Sequence, residues 1–401
     1  MSAIRQAVPR YRPWAGPALF KEGFRPLFLG SALWAAAALL LWLLALQGSL
    51  VLPSALDPMT WHVHEMLFGY VAATLAGFLL TAIPNWTGRM PLQGWPLVGL
   101  ALLWLAGRLA GLTSGWIGVG TAAAVDLSFL GVMLAVVLRE IVAGSNWRNL
   151  PMAGALALVL AANGLMHAEA AGLLEGLPAG LGWRLAIAVI LLLISLIGGR
   201  IIPSFTRNWL SKRGASALPA AFGPLDKLAL IATGLAGLFW TLFPESNAMA
   251  LAALAAAVLQ ALRLARWRGL ATLSEPLVWS LHLAYAWLPV GFALLAASRW
   301  SALVPVSMAI HALTAGAIGS ITLAVMTRAT LGHTGRPLTA GAGTTALYLA
   351  VTLAAATRLA AALLPDLMMP LLALSGAAWI AAFGGFALLY GRALLTPRVG
   401  A

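Results

Sequence analysis

Long apolar stretches of about twenty residues follow one another along almost the whole chain, each ended by Gly, Pro or charged positions. A helix needs about 20 apolar residues to cross the hydrocarbon core of a bilayer. The pattern therefore predicts an all-α polytopic membrane protein, a bundle of about twelve transmembrane helices. The predicted spans are 27–48, 62–84, 94–113, 116–139, 150–173, 180–202, 226–244, 247–267, 277–298, 302–327, 343–365 and 367–391. The Ser114-Gly115 connection is so short that 94–139 can also be divided differently. The expectation is one integral membrane domain over 1–401: a basic cytoplasmic segment 1–26, helices over 27–391, and a cytoplasmic tail 392–401.

Composition agrees with that pattern. The 401 residues are 62% hydrophobic and only 9% charged, against about 25% charged in soluble domains. A net charge of +13 would suit a nucleic-acid binder, but its placement argues for membrane topology. With the N-terminus inside, the inner segments collect twenty of the 24 Lys and Arg residues, Arg5, Arg10 and Arg12 among them. The exceptions are Arg108, Arg184, Arg299 and Arg358, while Asp57, Glu175, Glu245 and Asp366 fall outside. That bias predicts both termini in the cytoplasm. The N-terminal segment is too long and polar for a signal peptide, so the helix from Leu27 is expected to be retained.

One stretch echoes another. His64 lies 23 residues before Thr87-Gly88-Arg89, and His311 lies 23 residues before Thr334-Gly335-Arg336. Gly69 and Gly316 share that register, and Arg108-Leu109-Ala110 has a counterpart in Arg358-Leu359-Ala360. Spans 2–3 are thus expected to repeat as spans 10–11. Gly199-Arg200-Ile201-Ile202-Pro203 loosely resembles Ala82-Ile83-Pro84, which extends the idea to three repeats of four helices. Chance similarity among Ala/Leu/Gly-rich helices is the plain alternative.

The candidate chemistry is histidine chemistry. Cysteine is absent, which removes disulfides and thiolate ligands. Six histidines remain: His62, His64, His167, His282, His311 and His333. Ionisable residues in a membrane are costly and usually face a cavity or a partner, and imidazole ligates both heme iron and copper. All six are candidate metal ligands, His64 and His311 first because of their matched register. His62, His64, His167 and His311 lie at outer depth and are expected to converge there. His62 and His64, two apart, point about 200° away from each other on an ideal helix; they share one metal only if the helix start unwinds. Arg108 and Arg358, also at outer depth, are candidates for heme carboxylates. Glu65, Asp126 and Glu169 are candidate proton relays or orienting partners. Structural hydrogen bonding is the bland alternative for each histidine, most of all for His333. No Walker A, nucleotide-binding glycine motif or HExxH is present.

Several segments resemble the NnrS family. They are Gly23-Phe24-Arg25-Pro26-Leu27-Phe28, Trp61-His62-Val63-His64-Glu65-Met66-Leu67-Phe68-Gly69-Tyr70, and Gly77-Phe78-Leu79-Leu80-Thr81-Ala82-Ile83-Pro84-Asn85-Trp86-Thr87-Gly88. Further on come Gly198-Gly199-Arg200-Ile201-Ile202-Pro203-Ser204-Phe205-Thr206, His311-Ala312-Leu313-Thr314-Ala315-Gly316-Ala317-Ile318-Gly319, and Thr327 to Arg336. The likeness runs in order through the whole chain. It implies a bacterial inner-membrane protein with heme and copper, linked to nitric oxide metabolism. Three expectations follow. The first is a nitric oxide reductase fed by quinol or a redox protein. The second is a non-enzymatic nitric oxide binding or stress protein. The third is a metal or small-solute transporter, for which Pro289 and Pro305 are the main candidate midspan breaks, neither with a clear counterpart. The partners are then the bilayer and nitric oxide, with no nucleic acid.

Overall fold

A computed structural model of the chain, which describes residues 13–400, is an α-helical bundle. Arg5, Arg10 and Arg12, and with them most of the expected basic N-terminal segment, lie outside the described residues. Twelve helices among the described residues are long and apolar enough to cross a membrane. They are α1 Phe24–Leu46, α2 Pro58–Thr87, α3 Trp95–Leu112, α4 Val119–Ala143, α5 Trp147–Ala170 and α6 Leu181–Ser211. The second half holds α7 Pro224–Leu242, α8 Asn247–Ala265, α9 Pro276–Trp300, α10 Val306–His333, α11 Ala342–Leu363 and α12 Pro365–Leu395. The expected twelve spans are all present. A single helical turn, Ser114–Ile117, separates α3 from α4, so the division near Ser114 holds.

Two boundaries move for a local reason. α2 starts at Pro58, four residues before the expected 62, because the Asp57 side chain accepts from the Met59 and Thr60 N–H groups at 3.0 and 3.1 Å. An aspartate N-cap followed by Pro at the first helical position is a strong start signal. His62 and His64 therefore sit within formed helix. α6 runs on to Ser211, past Pro203, which it carries inside the helix.

Every fourth helix is an inner one. α2, α6 and α10 are buried over 72%, 67% and 61% of their apolar stretch, whereas the other nine reach 33–56%. On α7 the exposed residues Leu228, Ile231, Leu235, Leu238 and Leu242 form one stripe at helical spacing. Exposed apolar stripes of this length mark a lipid-facing surface. Between the three inner helices lies an apolar cavity of about 100 Å³, lined by Thr74, Phe78, Ile194, Ile197, Ile321 and Thr322 among others.

The ring of outer helices closes where α12 packs on α1. Buried Arg25 of α1 donates to Glu22 at 2.7 Å and to the carbonyls of Ala393, Leu394 and Thr396 at 3.2, 3.0 and 2.8 Å. A guanidinium satisfies the free carbonyls at a helix C-terminus and suits its negative end. A second polar clamp joins α6 to α9. Arg263 donates to Asp226 at 2.7 Å and to Tyr285 at 3.0 Å, and Gln260 donates to Ser195 at 2.6 Å.

Candidate functional site

The N-cap at Asp57 sets the phase of α2, and His64 is the last residue of its α-helical part. Glu65–Val71 continues as a π-helical segment, wound more widely than the α-helix on either side. Such segments are frequent at functional sites, and they re-aim the side chains before them. His64 and Glu65 are both almost fully buried, and they point at α3, α4 and α5.

His64 has an acceptor at each ring nitrogen. Nδ1 lies 3.0 Å from Glu65 Oε1. Nε2 lies 3.1 Å from Asp126 Oδ2 and 3.0 Å from Asn163 Oδ1. Its Nδ1–H therefore donates to Glu65, and Nε2 faces oxygens only, where it has to present a proton or meet a cation. His167 Nε2 lies 3.0 Å from the same Asp126 Oδ2, and Asn163 donates to that oxygen at 2.7 Å. His64, Asp126 and His167 offer ligand atoms that all lie within 4.8 Å of one another.

The surrounding residues hold this group rigid. Glu65 Oε2 accepts from Trp34 at 2.7 Å and from Arg108 at 2.6 Å, and Arg108 also pairs with Asp126 Oδ1. One guanidinium faces two carboxylates, so with neutral imidazoles the cluster carries one net negative charge, which a cation offsets. Arg108 is committed to those carboxylates through both terminal nitrogens; a heme carboxylate would have to displace one of them. α3 comes close because it is glycine there. A Cβ on Gly107 would lie 3.1 Å from Asp126 Oδ1, and one on Gly111 would lie 3.0 Å from Glu65 Oε1. Small residues four apart are the usual device for close helix approach in membranes.

The four outer histidines do not converge on one point. His62 leaves α2 on the other side and stacks on Trp42 of α1, ring centroids 4.3 Å apart. The first turns of α10, which end at His311, pack on α11, and His311 and Arg358 of α11 both lie within electrostatic reach of His62. His311 Nδ1 lies 2.7 Å from the Ser307 carbonyl, which leaves Nε2 free. Helix α2 stays wound, and the 200° between His62 and His64 sends them to two sites.

His282 and His333 join neither group. His282 Nε2 lies 2.7 Å from Thr206 Oγ1 near the opposite face, and His333 packs on Phe24, ring centroids 5.5 Å apart. Glu169 serves the α5–α6 loop, accepting from the Gly180 N–H at 2.6 Å. Asn163 was absent from the expected site; its position one turn before His167, on the same helix face, was the available signal.

A family model described as NnrS protein matches residues 18–398. The chain belongs to the NnrS family. None of the curated proteins matches it. The NnrS match covers every helix that contributes to the site, from Trp34 in α1 to Arg358 in α11.

Proposed function

We propose that this NnrS protein holds copper and heme in the bacterial inner membrane, and that it binds and reduces nitric oxide. The observation that carries the reading is the buried His64–Asp126–His167 group with its orienting carboxylate, Glu65. Its donor set fits copper. Two imidazole nitrogens and one carboxylate oxygen converge, and imidazole is a good copper ligand. A ligating histidine almost always gives its other N–H to a carboxylate or carbonyl, which fixes the ring and raises its basicity. His64 does so through Glu65, and Glu65 is itself fixed by Trp34 and Arg108.

Bound copper and heme would supply one-electron chemistry and open positions for a diatomic ligand. The chain's own residues do the rest. His64, His167 and Asp126 hold the cation, and Arg108 holds both carboxylates in place. The helices around them exclude bulk water. Nitric oxide is small and apolar, so it reaches such a pocket from the lipid. Its reduction to nitrous oxide consumes protons and electrons, the electrons coming from quinol or a separate redox protein. Glu65, a carboxylate hydrogen-bonded to His64 Nδ1 and not among the three ligands, is the group best placed to pass a proton to the site.

The test is made on protein purified in mild detergent. Metal analysis and a reduced-minus-oxidised optical spectrum should show copper and heme near one each per chain. Nitric oxide should change the spectrum and then disappear anaerobically when a donor is supplied. A loaded protein that binds the gas but shows no turnover with several donors overturns reduction and leaves binding alone. A colourless, copper-free preparation from heme-replete cells overturns the whole reading.

A further inference from the structure

The first and third groups of four helices are built alike, yet they differ in charge. His64 ends the α-helical part of α2, and the π-helical segment starts at Glu65; His311 ends that of α10, and a π-helical segment starts at Ala312. The offset is 247 residues at both positions. A Cβ on Gly69 would strike Trp34 of α1 at 2.6 Å, and one on Gly316 would strike Trp287 of α9 at 2.6 Å. Each inner helix thus passes a tryptophan of the first helix of its own group.

The carboxylates are what the third group lacks. Where Glu65 accepts from Trp34, the matching position in α10 is Ala312, and the buried indole N–H of half-buried Trp287 has no partner. Where Arg108 is paired twice, Arg358 forms no ion pair among the described residues, and its Nε is buried without a partner. His62 Nδ1 is buried without a partner as well. No Asp or Glu occurs anywhere from Pro276 to Pro365. An unpaired arginine at membrane depth is costly and usually finds a partner, and the residues from Pro276 to Pro365 supply no anion for it.

We propose that His62, His311 and Arg358 form a second site, separate from the His64–Asp126–His167 group, and that it takes the heme. This rests on the reading that the protein carries heme and copper. The Nε2 of His311 is the iron ligand, since Nδ1 is held by Ser307. Arg358 receives a heme carboxylate and restores the pairing that Arg108 finds within the chain. His62, stacked on Trp42, would line the same site. The carboxylate-rich group takes the cation.

Reciprocal variants test the division. Heme and copper per chain are first measured on the native protein; if either is missing there, it is the underlying reading that fails. Given both, His311→Ala should lose most of the heme absorbance and keep its copper. Arg358→Leu should weaken heme retention by roughly tenfold, the effect typical of residues that orient a metal site, and Arg358→Lys should restore much of it. His167→Ala and Asp126→Asn should lose copper and keep the heme spectrum. Each set controls for folding in the other, because the retained cofactor reports an intact bundle; should His311→Ala not fold, the Arg358 pair decides. Heme lost from the His167 variant and kept by His311→Ala overturns the proposal, as does an Arg358→Leu protein with native heme content.

Discussion

Glu65 is the residue on which the metal group turns. It orients His64, accepts from Trp34 and pairs with Arg108, all without reaching the metal position itself. Glu65→Gln keeps the size and some hydrogen bonding but removes the charge. Copper affinity is expected to fall roughly 10–100-fold, as for other orienting partners of ligating histidines, measured by competition with a chelator of known affinity. An unchanged affinity would mean that His64 is held by packing alone. Two of the three ligand candidates in this group, His64 and His167, were legible in the sequence as histidines at one depth. Asp126 was legible only as a carboxylate in an apolar helix, since nothing local links it to His64, 62 residues earlier. The nearness of His62 to His311 was not legible, because it joins helices far apart in the chain and depends on the phase of both.

That phase is set at the level of the helix. The run from Glu65 to Val71 is as apolar as its neighbours, so periodicity cannot distinguish π-helical from α-helical winding there. The glycines of α3 were visible, and small residues four apart are a known packing signal, but only the neighbours show that Gly107 and Gly111 bring Arg108 to its carboxylates. A π-helical segment is equivalent to one inserted residue in an α-helix. Deleting Met66 should restore α-winding and turn the preceding part of α2 by about 100°, carrying His64 away from Asp126. Copper content should drop to background while far-UV circular dichroism stays native. Deleting Glu175 from the α5–α6 loop, outside the helices, should leave copper bound. If the Met66 deletion keeps its copper, the widened turn is not what aims His64.

Across the whole molecule, the two histidine groups lie at one depth, near the face where α1, α3, α5 and α11 end and α2, α4 and α10 begin. The twelve helices were legible because hydrophobic length survives in the sequence, and the His64/His311 register pointed to the two places where α2 and α10 change winding alike. The inner place of α2, α6 and α10 was not, since burial by protein and burial by lipid demand the same apolar residues. Charge alone predicts which face meets the cytoplasm: Lys and Arg gather at the ends opposite the two histidine groups, so those groups should face outward. The chain has no cysteine, so single cysteines report on position without a background. Leu173 and Leu303 lie exposed in loops on the histidine side, and Leu270 lies exposed on the other. A membrane-impermeant maleimide applied to intact spheroplasts should label Leu173→Cys and Leu303→Cys, and should label Leu270→Cys only after lysis. That outcome places both histidine groups near the outer face, so electrons from a donor on that side would have only a turn or two of helix to cross, while cytoplasmic protons would have most of the membrane. The reverse labelling would put both groups at the cytoplasmic face and overturn the assignment of both termini to the inside.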